Sequence, residues 1–270
     1  MTDYRGKWAL ITGASAGIGA EFARAIAARG GNVILTARRR DRLETLAQEL
    51  KSTFSVEALV IEADFTDHNA PDTVMAAIDA HGAPVDILVN NAGFGMPGQY
   101  LDHEWPDHDA YLRLMVASYA HFVRLALPGM VECGYGRIIQ VASLAGLLPG
   151  SSGHTLYGAC KAFLISFSQS LAAEWNGKGV KVSALCPGLT YSEFHDVNGA
   201  RATVSKLPKF MFMDAAPVIE AALRAVEDQH TVIVPGTWNK FLAWLTKALP
   251  RPWGARLMAN QSKRARRQSI

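Results

Sequence analysis

"WALITGASAGIG", residues 8–19, sets a five-residue apolar run directly against three glycines spaced four and two apart, and decides how the chain is built. The run "WALIT" is continuous rather than alternating, the pattern of a strand covered on both faces. Gly13, Gly17 and Gly19 then let the backbone turn tightly, come close to a ligand and pack a helix against the strand. A helix starting there offers free N–H groups and the positive end of its dipole to phosphates. Within "TGASAGIG" (12–19), Ser15, Ala16 and Ile18 complete the turn. The strand–turn–helix context makes it a dinucleotide-binding candidate.

Six further apolar runs follow: "NVILTA" (32–37), "EALVIEA" (57–63), "VDILVN" (85–90), "RIIQVA" (137–142), "KVSALC" (181–186) and "TVIVP" (231–235). Between them lie stretches of helical periodicity, such as Phe22, Ile26 and Arg29, or Leu43, Leu46, Ala47 and Leu50. This alternation predicts an α/β fold, a doubly wound, Rossmann-like parallel sheet of seven strands with right-handed crossovers. Ligands of such sheets gather at the carboxyl ends of the strands, where strand order reverses.

The 270 residues, 49% hydrophobic and 19% charged, suit a single domain with a large core. We expect residues 1–236 to form the dinucleotide-binding and catalytic unit and residues 237–270 an added helix and basic tail. No apolar run approaches the roughly 18 residues needed to span a bilayer, and the first fifteen residues lack a signal-peptide core, which predicts a cytoplasmic protein. Cys133, Cys160 and Cys186 stand far apart, with no metal-binding spacing; no metal site is expected. Residues 251–270 carry six Lys or Arg and no Asp or Glu, so of the formal net charge of +3 the first 250 residues hold +3 less 6, or −3. The basic character is a tail rather than a face, and nucleic acid is not an expected partner.

After the second strand the sequence reads "LTARRRDRL" (35–43). An acidic residue there would grip a ribose 2′-hydroxyl. Here Thr36 and Ala37 are followed by Arg38, Arg39 and Arg40, and guanidinium groups suit a 2′-phosphate, which favours NADP(H).

"LYGACKAF" (156–163) places Tyr157 and Lys161 four residues apart, on one helical face. Together with "TGASAGIG", "NNAG" (90–93), Ser143 in "QVASLAG" and "PG" (187–188), this pair makes the chain resemble the short-chain dehydrogenase/reductase superfamily over roughly residues 5–235. The resemblance implies a catalytic set of Ser143, Tyr157 and Lys161. Tyr157 would donate or accept the reacting proton, its pKa near 10 pulled down by the Lys161 cation. Ser143 would hold the substrate oxygen. The cofactor contacts implied are Gly13, Ser15, Ala16, Gly17, Ile18 and Gly19, then Arg38 and Arg39, Asp64 and Phe65 flanking the adenine, Asn91, Ala92 and Gly93, the pair Tyr157 and Lys161, and Pro187, Gly188 and Thr190 on the nicotinamide side.

One position departs from the family. Thirteen residues before Pro128 of "LPGM" (127–130), where the family has an asparagine, stands Met115, and no asparagine occurs from 92 to 175. Ser118 and Tyr119, one turn along, are the candidates to position water near Lys161. The departure keeps open a second class, a nicotinamide-binding regulator without turnover. A serine hydrolase is disfavoured because Val141 stands where the Gly-x-Ser-x-Gly elbow needs its first glycine.

The segment 188–214 holds Phe194, Leu207, Phe210, Met211, Phe212 and Met213, an apolar lid suited to a hydrophobic carbonyl or alcohol. In "TWNKFLAWLTKALPRPW" (237–253), Trp238, Phe241, Leu242, Leu245, Ala248 and Leu249 fall on one helical face and Asn239, Lys240, Thr246 and Lys247 opposite, with Pro250 ending the helix. Packing of the apolar face within the chain is the leading expectation, ahead of a homo-oligomer contact and of peripheral membrane contact.

Overall fold

The computed structural model describes residues 2–150, 152–153, 155–191 and 208–248. Phe194, Leu207, Leu249 and Pro250 therefore lie outside the described residues, as does the basic stretch 251–270.

Every apolar run of the sequence contains a strand. They are β1 (Trp8–Thr12), β2 (Asn32–Ala37), β3 (Ala58–Glu62), β4 (Ile87–Asn90), β5 (Gly136–Val141), β6 (Val180–Leu185) and, after two short strands described below, β9 (Val232–Ile233). They pair in parallel in the order β3-β2-β1-β4-β5-β6-β9, with the reversal of strand order between β1 and β4. Register is fixed by alternation. On β1, Ala9 and Ile11 face one side and Trp8 and Leu10 the other; on β4, Ile87 and Val89 oppose Leu88 in the same way. A one-residue slip would exchange both sets, so two-sided burial pins the pairing.

Helices α1 (Gly17–Ala27) and α2 (Arg40–Phe54) cover the first face together with α7 (Ala215–Glu227). Phe22, Ile26, Leu43, Leu46, Ala47 and Leu50 are buried there, as their spacing predicts. The second face carries α3 (Ala70–His81), α4 (Trp105–Leu112), α5 (Ser118–Glu132) and α6 (Thr155–Trp175). From Trp105 to Glu132 the chain is helical without a break and, contrary to the sequence expectation, long and apolar enough to cross a membrane. Its apolar residues nevertheless serve the core: Tyr111, Leu114, Met115, Phe122, Val123, Ala126 and Met130 all pack into the second face.

Within that run, Arg113–Ala117 form a π-helical turn between α4 and α5. The segment after "PG" contributes a second, two-stranded parallel sheet, β7 (Leu189–Thr190) with β8 (Phe212–Met213), which closes the two ends of the 188–214 segment on each other. The final described element is α8 (Thr237–Ala248).

Candidate active site

The glycine turn is built against the "NNAG" segment at the β1/β4 reversal. Gly13 has φ +67°, a conformation that costs a residue with a side chain about 1–2 kcal/mol, and a Cβ there would lie 2.8 Å from the Ala92 Cα. The Asn91 amide Nδ2 donates to the carbonyls of Thr12 (2.9 Å) and Gly13 (3.2 Å), while the Asn91 and Ala92 N–H groups donate to the Thr12 hydroxyl at 2.9 and 3.0 Å. Asn91 thus holds the loop from behind. Gly19 is needed for the same contact, since its Cβ would meet the Gly13 carbonyl oxygen at 2.4 Å. Ala16 is the N-cap of α1 and offers no side-chain acceptor, and the first turn of α1 carries no acid. The leading N–H groups of α1 therefore lack a side-chain cap, as a phosphate site requires. Ile18 packs into the core beside the turn.

Arg39 reaches over this turn, with Nε and Nη2 donating to the Ser15 hydroxyl at 3.2 and 3.0 Å. Arg38 stands 4.0 Å from the Asp64 carboxylate, both groups exposed, and Asp64 also accepts from the N–H and hydroxyl of Thr66. Cations thus flank the end of β2, where Ala37 stands in the place of an acid. Phe65 corrects the sequence expectation: its ring is buried, edge-on to Phe122 at 5.3 Å, so the side chain belongs to the core and only its backbone can face an adenine.

Ser143 leads out of β5, its hydroxyl accepting from the Ala145 N–H at 3.2 Å. The Leu144 N–H donates to the Pro187 carbonyl at 2.9 Å, which ties the serine loop to the "PG" segment. Gly146 lets that loop lie on α6, where a Cβ would strike the Lys161 backbone at 2.6 Å. Tyr157, in the first turn of α6, is hydrogen-bonded with Ser143. Lys161, one turn further on, is buried, with its Nζ donating to the Val141 carbonyl at 2.7 Å and lying 5.8 Å from the Tyr157 ring centre. On the far side, Thr190 is buried, its hydroxyl donating to the Gly188 carbonyl at 3.2 Å.

Burial sets the proton affinities. It pushes the Tyr157 phenol above the usual tyrosine value, the Ser143 hydrogen bond opposing it, so the sequence expectation of a lowered Tyr157 pKa is reversed. The cause is the burial of the phenol itself; Lys161 is desolvated as well, and its ammonium is brought down to about 8.

Met115 sits in the π turn with its sulfur against Gly93, where a Cβ would approach it to 2.8 Å. Of the two stand-ins, the Ser118 hydroxyl donates within its own helix to the Leu114 carbonyl at 2.7 Å. Tyr119 lies nearer the chemistry: its hydroxyl donates to the Ala92 carbonyl at 2.8 Å, and its ring centre is 5.6 Å from the Lys161 Nζ. Sequence reading missed Tyr111, a fully buried phenol without a hydrogen-bond partner among the described residues, raised by burial and by the neighbouring Cys160 and Tyr157. It also missed Asn239, which is buried against Gly188, where a Cβ would lie 2.4 Å from its Oδ1. A polar residue three positions after Gly236, whose φ is +84°, was the available signal for a tightly folded helix start.

A family model described as short chain dehydrogenase matches residues 7–201. The chain belongs to the short-chain dehydrogenase family. Its members are oxidoreductases of CH–OH and C=O groups, and this chain is one of them. It is 32% identical over 270 residues to a very-long-chain 3-oxoacyl-CoA reductase of Anas platyrhynchos, covering 97% of this chain and 81% of that protein. Against the Bos taurus protein of the same name the identity is 36%, and the match spans 59% of that protein's length. Among solved structures, a short-chain dehydrogenase from Sphingobium yanoikuyae in complex with NADPH superposes with a TM-score of 0.79 at 28% identity, covering 90% of this chain and 96% of the other. The family assignment makes a nicotinamide dinucleotide the cofactor, and the glycine cradle, the uncapped α1 and the Asn91 brace fit it.

Proposed function

We propose that the chain is an NADP(H)-dependent reductase of hydrophobic carbonyl compounds, with Tyr157 as general acid in reduction and general base in the reverse direction. The observation that carries this reading is the hydrogen bond between Ser143 and Tyr157, itself one turn from Lys161, on a serine loop tied to the "PG" segment. NADPH, when bound, supplies the hydride. The Ser143 hydroxyl orients the carbonyl oxygen toward the phenol, and Tyr157 delivers its proton to the oxygen as negative charge develops there. A pKa raised by burial leaves that proton on Tyr157 at neutral pH, the form a donor needs. Lys161 then stabilises the phenolate left behind.

Arg38 and Arg39 beside Ser15, with no acid at the end of β2, support NADP(H) over NAD(H). The substrate class follows from the segment after "PG": Met211, Phe212 and Met213 are half-buried, and Tyr191 stacks on Phe212 at 4.9 Å. Such a lining suits an acyl chain or a polycyclic ketone, consistent with the duck relative's name.

The test follows absorbance of NADPH with 3-oxoacyl thioesters of increasing chain length and with bulky cyclic ketones. We expect turnover with NADPH, weak turnover with NADH, and kcat/KM rising with apolar size. NADPH binding without reduction of any carbonyl would instead mark a regulator, and equal use of NADH would refute the reading of the arginines.

A further inference from the structure

The structure corrects the expected role of α8. Its docked side is formed by Asn239 and Ala243, both buried, with Leu242 half-buried beside them; the Asn239 amide donates to the Pro235 carbonyl at 2.8 Å and abuts Gly188. Of the side assigned to the interior, Leu242 and Leu245 are half-buried, but the aromatic residues face out. Trp238 is 39% exposed, Phe241 46% and Trp244 62%, and they run along the helix with ring centres 5.8 and 6.2 Å apart. Phe210, 66% exposed, extends the row by meeting Trp238 edge-on at 5.5 Å. The outward orientation is built in, because Gly236, with φ +84° and a Cβ position only 2.6 Å from the Met213 sulfur, starts the helix with Asn239 inward.

Charge identifies what this ridge meets. Residues 229–270 contain eight Lys or Arg and no Asp or Glu, whereas the other 228 residues hold 19 Lys or Arg against 24 Asp or Glu, a net charge of −5. Lys240 flanks the ridge and is exposed. We propose that the outer face of α8, with the basic residues that follow it, docks on a membrane surface rich in anionic lipid. Tryptophan and phenylalanine rings enter the headgroup boundary, and nearby cations add electrostatic attraction to an anionic leaflet. A second copy of the chain is the poorer occupant, since a two-fold contact through this ridge would bring two segments of +8 together. The docking does not depend on the proposed substrate class. It would place the β7–β8 mouth at the bilayer, because Asn239 of α8 touches both Gly188 and Met213.

Co-sedimentation of the full chain with phosphatidylcholine vesicles, with and without about 30% phosphatidylglycerol, tests this. We expect binding to the anionic vesicles alone, weakening as salt rises from about 0.1 to 0.5 M, with a blue shift of tryptophan emission. The triple change Trp238→Ser, Phe241→Ser, Trp244→Ser should cut lipid affinity at least about tenfold. Its circular dichroism and NADPH affinity, unchanged, would show that it folds. A second variant, with Lys263, Arg264, Arg266 and Arg267 changed to Gln, should weaken binding and flatten its salt dependence. Absence of vesicle binding, or binding untouched by both variants, would overturn the proposal. So would a triple variant that only lowers the mass seen by light scattering, or full-chain binding to a single-stranded oligonucleotide in place of vesicles.

Discussion

The two ends of the sheet treat buried charge in opposite ways. At the amino edge, Glu227 accepts from Arg137 at 2.8 Å and Lys181 at 3.3 Å, and the Tyr4 hydroxyl donates to it at 3.3 Å. Nearby, Asp86 accepts from Lys7 and from the Trp8 N–H, and the Arg137 guanidinium lies over Tyr135. At the carboxyl edge, the buried Lys161 ammonium donates to a carbonyl at 2.7 Å and, among the described residues, has no carboxylate partner, while the Tyr111 phenol has no hydrogen-bond partner among them. One end spends its polar groups on each other; the other leaves them to act on something that enters. The difference teaches that burial alone does not mark a site, since both ends are buried; the state of pairing does.

The largest effect should come from the carboxyl edge. Tyr157→Phe removes the proton donor without removing the ring, so kcat should fall about 10²–10⁴-fold while NADPH affinity, measured by fluorescence titration, stays within about twofold. Retained turnover would break the comparison outright, because the carboxyl-edge phenol would then have no catalytic use.

Next comes the amino edge. Glu227→Gln leaves Arg137 and Lys181 without their counter-charge and should destabilise the fold by about 3 kcal/mol in urea, with kcat of the folded fraction unchanged. Its pH dependence has a definite sign. Burial pushes the Glu227 carboxyl up, but Arg137 and Lys181 together hold it below its ordinary value of 4.5. A lowered folded pKa means stability that is present above the unfolded value and lost as pH falls through the folded one. The wild type should therefore lose stability below about pH 4.5 more steeply than Glu227→Gln.

How much of this contrast was readable beforehand depends on whether it rests on pattern or on packing. The strands were legible because runs such as "NVILTA" are continuous and bounded by turn residues, and β1 and β2 match their runs residue for residue. Spacing placed Tyr157 and Lys161 on one helical face, and the resemblance to the family's motifs added Ser143 to them. The direction of the Tyr157 shift was not legible, because it depends on how thoroughly the phenol itself is buried, which no spacing encodes. Nor was the rotation of α8. Periodicity found its two faces, but Asn239 turned inward because Gly188 and Pro235 offered it a close-fitting, hydrogen-bonded seat.

A smaller effect tests the cofactor end of the carboxyl edge. Arg39→Glu exchanges the cation above Ser15 for an anion and should weaken NADPH about 10–100-fold, the loss of one or two charge-assisted hydrogen bonds, while NADH binding changes little. Titration of both nucleotides reads the ratio directly. Parallel losses for the two would place Arg39 in the support of the turn rather than in the choice of nucleotide.

The smallest effect is the most direct reading of an unpaired charge. Burial brings Lys161 from its ordinary 10.5 down to about 8, so between those values the unfolded chain holds a proton that the folded chain has released. Stability of the cofactor-free protein should then rise with pH across that window, by up to about 1.4 kcal/mol per unit. The buried Cys160 thiol and the Tyr111, Tyr119 and Tyr157 phenols, all raised by burial, pull the other way once the unfolded thiol ionises near 9 and unfolded phenols near 10, so the slope is read between about pH 7.5 and 9.5 against a variant that keeps all four. Lys161→Met removes the charge and keeps an apolar stem of similar length. It should exceed the wild type in urea midpoint at pH 7.5, and the gap should close as pH approaches 9.5, since the wild-type lysine sheds its charge there. Glu227→Gln supplies the contrast, because its deficit should stay flat through the same window. A gap that held constant or widened for Lys161→Met would mean that the ammonium is as well compensated as the amino-edge charges, and that the two ends of the sheet do not differ in the way proposed.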